Sequence, residues 1–480
     1  MTSSIFVISD LHLGGEPGSD DSPGFRILTG VGQRRLAGFL GWVRQQGSGD
    51  HEVHLVINGD FVDFLAEKEF APFTPTDEAA TDKLRRVMSR TAAVWDGLHE
   101  AVSAGVRMTI LLGNHDIELS LPGPRRLLLE RLGHGSVDFI YDNQAFVAGP
   151  VLIEHGNRYD NWNAVRHDQL RELRSALSRR EPPPEFPPPA GSQLVQQVMN
   201  PLKAHFPFVD LLKPENAGAI PMLAVLDPSS MRAVPKIAQL ARQSARVRFD
   251  ATGRPLDPSN IAEEPEVRKD RELLQLAANL AAGGDAQQVS FVSRAGDLWN
   301  RLRTATSQAA RAKEFDLLYR GIRAHIEEHR QNFDVNREDE RYLRAAQVAV
   351  RRGFRVVVFG HTHAVKRVPL DSSGNPAGPK DDPLSNGGAV YLNTGTWADL
   401  MRFPEAVLNG KEEEGRAQLE RFSDDLEANR TDRYREQIPT FARIEIEGQQ
   451  VKSADVYLFS EPEEPAPVPN GQLASLIYTP

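Results

Sequence analysis

The chain has 480 residues, and 56 Lys or Arg against 66 Asp or Glu give a net charge of −10 at pH 7. Its charged fraction of 25% and hydrophobic fraction of 40% exclude a collagen, a coiled coil or a wholly disordered chain. The absence of cysteine excludes disulfides, a thiolate nucleophile and Cys-ligated metal sites. No apolar run approaches the roughly 20 residues that span a bilayer, and the amino end lacks the basic flank of a secretion signal, so a cytoplasmic enzyme is expected.

The apolar pattern predicts strands that alternate with helices along the first 153 residues. Strands are predicted at 4–9, 53–57 and 107–112, followed by two more between 137 and 153. Helices are predicted around 33–44 and as one long helix within 76–103. Later in the chain, a helix at 337–352 precedes strands at 355–359, 389–392, 440–446 and 453–458. This order predicts an α/β fold with a parallel sheet.

A mostly helical insertion is predicted at residues 166–350, between two parts of the α/β core at 1–165 and 351–460. Its Pro-rich segment 181–190 is interpreted as a stiff spacer rather than a docking motif for an SH3-like partner. Apolar pieces follow at 207–212 and 220–226, and helices are predicted at 272–282, 295–311 and 314–329. Because both ends of the insertion emerge near the strand ends, we expect it to form a lid or a cleft wall. Its apolar pieces are expected to form its own core, with a lipid tail or a partner as the alternative. Residues 461–480 are expected to be a loosely ordered tail.

Polar residues that a core would not choose follow five of the predicted strands. They are Asp10 and His12, Asp60 and Asp63, Asn114 with His115 and Asp116, His155, and His361 with His363. In open α/β sheets, ligands bind beyond the carboxyl ends of the strands, so these five blocks are expected to converge.

The residue types in these blocks indicate a metal site. Asp, Asn and His suit Mn²⁺, Fe, Zn²⁺ or Co²⁺ better than Ca²⁺. Alternate residues of an extended segment point to one side, so His361 and His363 can face one ion. A single Asp-x-His pair is commonly a cap or a surface feature, but two histidines directly after an apolar strand are unusual.

The ordered set of blocks resembles the calcineurin-like metallophosphoesterase superfamily. Its pattern is Asp-x-His, Gly-Asp-x-x-Asp, Gly-Asn-His-Asp/Glu, a later His, and Gly-His-x-His, and this chain has every block in order. The resemblance covers residues 1–165 and about 351–400. It implies a β-sandwich flanked by helices, with two divalent metal ions at the strand ends. Mn²⁺ is the expected metal, and Fe, Zn²⁺ and Co²⁺ are the alternatives.

The resemblance also implies a role for each matched residue. One ion would be held by Asp10, His12, Asp60 and His363, and the other by Asp60, Asn114, His155 and His361, with Asp60 bridging. A water shared by the two ions would attack phosphorus. His115 would assist the leaving oxygen and Asp116 would orient His115, while Asp63 would support the metal ligands. Arg158 is expected to bind the substrate phosphate or to form a salt bridge with Asp160.

The resemblance implies a phosphate-ester substrate, and the early blocks resemble the branch of UDP-diacylglucosamine pyrophosphohydrolases. Those enzymes usually carry arginine where this chain has His115. A histidine at this position fits a general phosphodiesterase or the DNA-repair exonucleases better. Hydrolysis of a phosphodiester or pyrophosphate bond is therefore predicted. A DNA or RNA nuclease is the alternative, not favoured because no basic stripe is present, and a catalytically silent scaffold is a distant third. The sequence indicates no protein partner.

Overall fold

The computed structural model describes residues 2–203 and 334–468, with gaps at 20–21, 48–50, 134–135, 379–382, 402–403, 429 and 461–463, together with residues 211, 319 and 320. The predicted apolar pieces at 207–212 and 220–226 and the predicted helices at 272–282, 295–311 and 314–329 lie outside the described residues, apart from residues 211, 319 and 320.

Eighteen strands are present in the described residues, and most belong to two sheets. In chain order they are β1 (Thr2–Ile8), β2 (Leu13–Gly14), β3 (Pro17–Ser19), β4 (Ser22–Gly24), β5 (His51–Asn58), β6 (Val62–Asp63), β7 (Arg107–Leu111), β8 (Val137–Ile140), β9 (Phe146–Ala148), β10 (Val151–Ile153), β11 (Val356–Phe359), β12 (Val365–Leu370), β13 (Ala389–Thr394), β14 (Leu400–Met401), β15 (Arg435–Glu436), β16 (Thr440–Glu447), β17 (Gln450–Leu458) and β18 (Ala466–Pro467).

The larger sheet has seven strands in the order β18-β17-β16-β1-β5-β7-β8, and the smaller has five in the order β12-β13-β11-β10-β9. Strands β1, β5, β7 and β8 are mutually parallel, as are β10, β11 and β13. Antiparallel strands complete both sheets at their edges. The parallel sheet predicted from the sequence is therefore confirmed, but it is divided between two sheets.

Ten α-helices are present in the described residues. They are α1 (Gly30–Gln45), α2 (Asp77–Arg90), α3 (Ala92–Ser103), α4 (Pro122–Leu132), α5 (His167–Ser178), α6 (Ala190–Leu194), α7 (Asn200–Lys203), α8 (Glu340–Arg351), α9 (Glu405–Asn409) and α10 (Glu412–Glu427). The single long helix predicted within 76–103 is wrong, because the chain breaks at Thr91, whose φ of −122° and ψ of 32° are not helical. The two strands predicted between 137 and 153 are three, β8, β9 and β10.

The sheets and helices form four layers around three apolar clusters. Alternate residues of β1 serve different layers: Phe6 and Ile8 pack beneath α1–α5, whereas Ile5 and Val7 face the smaller sheet. The far side of the smaller sheet, including Val357, is covered by α8. Burial on both faces explains why these strands are continuous apolar runs in the sequence. The sandwich flanked by helices is confirmed.

The described start of the predicted insertion lies against this core. Residues 181–189 contain no helix or strand, yet Phe186 is buried and packs on Phe73 with ring centroids 4.6 Å apart. In the segment expected to be a loose tail, Ala466–Pro467 extends the larger sheet and Val468 is buried. None of the described helices is both long and apolar enough to cross a bilayer.

Candidate metal centre

The five polar blocks meet at the carboxyl ends of the parallel strands of both sheets. The loops after β1 and β5 are tied together by backbone hydrogen bonds from Asp10 N to Gly59 O, 3.1 Å, and from His12 N to Asp60 O, 2.9 Å. Directly beyond them, β2 pairs with β6. These contacts hold the first two blocks at a fixed separation.

The backbone is strained at several of the predicted ligands. Positive φ angles occur at Asp10 (52°), His12 (45°), Asp60 (47°), His361 (69°) and His363 (58°). Residues with a Cβ rarely occupy this left-handed region, and strained residues of this kind cluster at functional sites because the surrounding fold over-determines them. The tertiary structure therefore forces these side chains to point into one space.

Two glycines allow the loops that carry the ligand blocks to approach one another closely. A Cβ on Gly113 would overlap the carboxylate of Asp60, and a Cβ on Gly360 would overlap Ser9 and Asp10. Each glycine lies directly before or beside a ligand block, so a larger residue there would push two blocks apart.

The first group of potential ligands is Asp10, His12, Asp60 and His363, whose ligand atoms lie within 4.8 Å of one another. His363 Nε2 lies 3.0 Å from His12 Nε2 and 3.3 Å from Asp10 Oδ1. All four side chains are buried. This is the set that the sequence predicted for one ion.

The second group is Asp60, His155 and His361, with ligand atoms again within 4.8 Å. Asp60 Oδ2 lies 3.3 Å from His155 Nε2 and 3.9 Å from His12 Nε2, so one oxygen faces a histidine of each group. The other oxygen, Oδ1, accepts a 2.8 Å hydrogen bond from the backbone N–H of His115. Asp60 therefore lies between the two groups, and the bridging role that the resemblance implies for it stays a prediction.

Unsatisfied buried atoms in these groups fit a bound cation. Asp10 Oδ1, Asn114 Oδ1, His155 Nε2 and His361 Nδ1 are buried and have no hydrogen bond of normal geometry among the described residues. Buried polar atoms without partners are destabilising unless they serve a ligand. All four are oxygen or imidazole nitrogen donors, and these donors match divalent transition metals. The residues present therefore fit the metal that the sequence implies.

The partner of each ring explains which nitrogen is left for a metal. His155 Nδ1 lies 2.7 Å from the backbone oxygen of Asn58, and His361 Nε2 lies 3.1 Å from Asp160 Oδ2. Because these oxygens only accept, each ring donates there, and its other nitrogen is the one that carries the lone pair when the ring is neutral.

The buried carboxylates and histidines of the site shift one another's pKa values. Burial by itself would lower the pKa of His155, but the carboxylates of Asp60 and Asp10 raise it to about 9. Burial would raise the pKa of Asp60, yet His155, His115 and His12 hold it well below its usual range. Two buried carboxylates in one site thus depend on neighbouring cationic groups, and metal ions would fill the same electrostatic role.

His115 stands beside the metal groups rather than in them. Its ring meets that of His12 edge to face at 4.8 Å, and its Nδ1 lies 3.1 Å from Asp63 Oδ1. The role predicted for Asp116, to orient His115, stays a prediction: its Oδ1 and Oδ2 accept the backbone N–H groups of Gly113 and Phe61, both at 2.7 Å. Asp116 holds the turn, and Asp63 contacts the ring.

Arg158 is half-buried, and its described ion pair is with Glu154, Nη1 to Oε2 at 3.4 Å. The predicted alternative, a salt bridge to Asp160, is therefore wrong, since Asp160 contacts His361 and Arg341. Arg158 lines a cavity of about 60 Å³ next to His155. The lining is apolar at Leu111, Leu112 and Ile140 and polar at Asn143, Gln144 and His167.

A family model described as calcineurin-like phosphoesterase matches residues 3–204. Over these residues the chain is similar to the calcineurin-like phosphoesterases, and the match supports the metallophosphoesterase superfamily. The calcineurin-like phosphoesterases are hydrolases that act on phosphoric esters. The match ends before His361 and His363, which the fold nevertheless brings to the same site. The chain matches no curated protein.

Two residues in contact with the metal groups were missed as site residues in the sequence. The sequence indicates Asp160 only as an ion-pair partner of Arg158, and it gives no signal for Asn163. Asn163 Oδ1 lies 3.3 Å from Asn114 Nδ2. Both follow His155 within eight residues, but no strand-end pattern marks them, because they act from an irregular segment.

Proposed function

We propose that this protein hydrolyses a phosphodiester or pyrophosphate bond with the help of two divalent metal ions, most suitably Mn²⁺. The observation that carries the proposal is the position of Asp60 Oδ2, which faces a histidine of each potential metal group at 3.3 and 3.9 Å. One carboxylate oxygen between two sets of nitrogen and oxygen donors is the arrangement that two-metal hydrolytic sites require.

Seven residues would hold the ions: Asp10, His12, Asp60 and His363 around one, and Asp60, Asn114, His155 and His361 around the other. Ions bound there would supply Lewis acidity toward the phosphoryl oxygens and lower the pKa of a water nucleophile. The chain itself supplies rigid placement, because the ligand-bearing loops are joined by backbone hydrogen bonds and a short strand pair.

His115 is proposed to donate a proton to the leaving oxygen. Its Nδ1 lies 3.1 Å from Asp63 Oδ1, so a proton on that nitrogen is held by the carboxylate and Nε2 is directed elsewhere. Asp63 remains ionised, because His115 and His12 lower its pKa against the effect of burial. A positioned acid of this kind typically contributes 10²–10⁴-fold to a rate, roughly 3–5 kcal/mol.

The cavity beside His155 supports an ester with a second substituent. A monoester needs room for one group on phosphorus, whereas a diester or pyrophosphate carries another. The cavity combines an apolar floor with amide, imidazole and guanidinium groups, so it suits a small substituent with hydrogen-bonding atoms. Arg158 at its edge is proposed to contact a phosphate oxygen or this substituent.

The test is hydrolysis of an aryl phosphodiester and the matching monoester in the presence of Mn²⁺, with a chelator as blank and His115→Ala as the variant. We expect the diester to be hydrolysed faster than the monoester, and both rates to vanish with the chelator. Faster turnover of the monoester would contradict the assignment to diesters. No turnover of these esters, a pyrophosphate diester or single-stranded DNA by a protein loaded with two ions would contradict the hydrolase function.

A further inference from the structure

Segment 157–163, which begins with a 3₁₀ turn at Asn157–Tyr159, contacts two of the residues that would hold the second metal ion. Asp160 Oδ2 lies 3.1 Å from His361 Nε2, and Asn163 Oδ1 lies 3.3 Å from Asn114 Nδ2. The two contacts are linked, since Asn163 Nδ2 donates a 2.7 Å hydrogen bond to the same oxygen of Asp160. No corresponding contact from this segment reaches Asp10, His12 or His363 among the described residues.

The direction of these hydrogen bonds follows from the donors that surround Asp160. Its Oδ1 accepts the backbone N–H of Trp162 at 3.0 Å and lies 3.7 Å from Arg341 Nη1, so the carboxylate acts as an acceptor toward its neighbours. Asn163 must therefore turn its NH₂ toward Asp160 and its oxygen toward Asn114. Asn114 in turn donates its NH₂ to that oxygen, which leaves its own Oδ1 buried and without a hydrogen bond among the described residues.

Asp160 fixes His361 by the same rule. The ring donates from Nε2 to the carboxylate, which leaves Nδ1 as the atom with a lone pair, and Nδ1 is buried without a hydrogen bond. A single carboxylate thus sets the donor atom of two residues that come from different strands, Asn114 after β7 and His361 after β11.

Segment 157–163 is itself held by residues from both ends of the insertion. Gly191, near the start, donates its N–H to Trp162 O at 2.7 Å and lies so close that a Cβ would overlap Asn163 Oδ1. Arg341, in α8 near the end, places Nη1 3.7 Å from Asp160 Oδ1. The backbone of Asn163 also accepts a 3.0 Å hydrogen bond from Asn157 Nδ2.

We propose that Asp160 and Asn163 are positioning residues for the metal subsite formed by Asn114, His155 and His361, and that this subsite depends on how the two ends of the insertion hold segment 157–163. The other subsite, formed by Asp10, His12 and His363, is independent of them. The two ions would therefore differ in affinity, and only one would respond to changes at the insertion. This inference rests on the two-metal centre of the proposed function.

The test is a titration of metal-free protein with Mn²⁺, in which bound ions are counted by equilibrium dialysis. Electron paramagnetic resonance distinguishes a single Mn²⁺ from a coupled pair. The variants are Asp160→Asn, which keeps the shape but removes the charge, and Gly191→Ala. The matched controls are Asp425→Asn, a buried carboxylate bonded to Arg430 and Tyr434, and Gly41→Ala, whose Cβ would meet nothing within 4 Å.

We expect the controls to bind two ions as the wild type does. Asp160→Asn should weaken one site about 10- to 100-fold and leave the other unchanged, as for other residues that orient metal ligands. Gly191→Ala should weaken the same site, and at intermediate Mn²⁺ both variants should show the single-ion spectrum.

The inference would be overturned if Asp160→Asn bound two ions with wild-type affinities, or if its affinity fell equally at both sites. Either result would leave the proposed function intact. Gly191→Ala with unchanged affinities would overturn the dependence on the insertion. A wild-type protein that binds no Mn²⁺ would overturn the proposed function and this inference together.

Discussion

The carboxylate of Asp63 places Oδ1 3.1 Å from Nδ1 of His115, while its Oδ2 lies 3.6 Å from Nδ1 of His12. One side chain thus contacts both the proposed proton donor and a metal ligand. Its Oδ1 also accepts the backbone N–H groups of Leu65 and Ala66 at 3.1 and 3.3 Å, which anchors the carboxylate at the start of a short helical turn. The placement of His115 is therefore a consequence of how the loop after β5 folds.

Asp63→Asn is expected to slow hydrolysis about tenfold to a hundredfold for esters with poor leaving groups, because the amide holds His115 less firmly and removes its charge partner. Activated aryl esters, which need less proton donation, should be affected less. The measurement is kcat for a series of leaving groups, with metal content determined on the same samples.

A double variant separates the two contacts of Asp63. If Asp63 acts through His115, adding Asp63→Asn to His115→Ala should cause no further loss of kcat. A full additional loss in the double variant, together with fewer bound ions, would show that Asp63 acts mainly through His12 instead.

Metal removal is expected to destabilise the folded protein, because the buried carboxylates of Asp10 and Asp60 lose the cations that compensate them. Ligands that bind only the folded state add about 2.7 kcal/mol of stability at a concentration 100 times the dissociation constant. A chelator should therefore lower Tm by several degrees, and Mn²⁺ should restore it. Asp60→Asn, which removes the shared ligand, should show little response; a full metal-dependent shift in that variant would contradict the bridging role of Asp60.

Glu118 should make stability depend on pH in a direction unusual for a carboxylate. Burial raises its pKa to about 7, although hydrogen bonding from Thr74 and the charge of Lys83 oppose this shift. The folded protein therefore holds a proton that the unfolded chain releases near its ordinary pKa. This contribution favours folding most at low pH and is lost as pH rises from about 4.5 to about 7.

Glu118→Gln carries no such charge, so its free energy of unfolding should rise relative to the wild type by on the order of 2–3 kcal/mol between pH 5 and pH 8. The amide oxygen can still accept the hydrogen bond that Thr74 N donates to Glu118 Oε1 at 2.8 Å. Urea unfolding of both proteins at the two pH values provides the measurement. A difference between them that stays constant with pH would show that Glu118 is ionised in the folded state.

Arg158→Met is expected to raise KM for a diester more than it lowers kcat, because Arg158 lines the cavity beside His155 and contacts no metal ligand group directly in the described ion pairs. A rim cation that holds a phosphate oxygen contributes on the order of 1.5–3 kcal/mol, about 10- to 100-fold in KM. Arg171→Met is the matched control, since Arg171 pairs with Asp142 and Asp168 at the surface. Equal KM values for the two variants would remove Arg158 from the substrate site.

The residue types of the candidate site and the class of the fold could be predicted from the sequence alone. A strand end is a local feature, so Asp10, His12, Asp60, His155 and the two histidines at 361 and 363 could be recognised from the apolar run before each of them. Parallel strands place their carboxyl ends together, and from that rule alone convergence of the blocks follows. The order of the blocks was enough to indicate the family.

The residues that support the ligands could not be predicted from the sequence, because they are known only from contacts between distant segments. The partner of His115 is Asp63, 52 positions away, rather than its neighbour Asp116, which is occupied by two backbone amides. The roles of Asp160 and Asn163 depend on contacts across both sheets, which spacing along the chain does not encode. Local patterns reveal which atoms a strand end presents, whereas the hydrogen-bond partner of each atom depends on residues distant in sequence, and these meet only when the two sheets pack together.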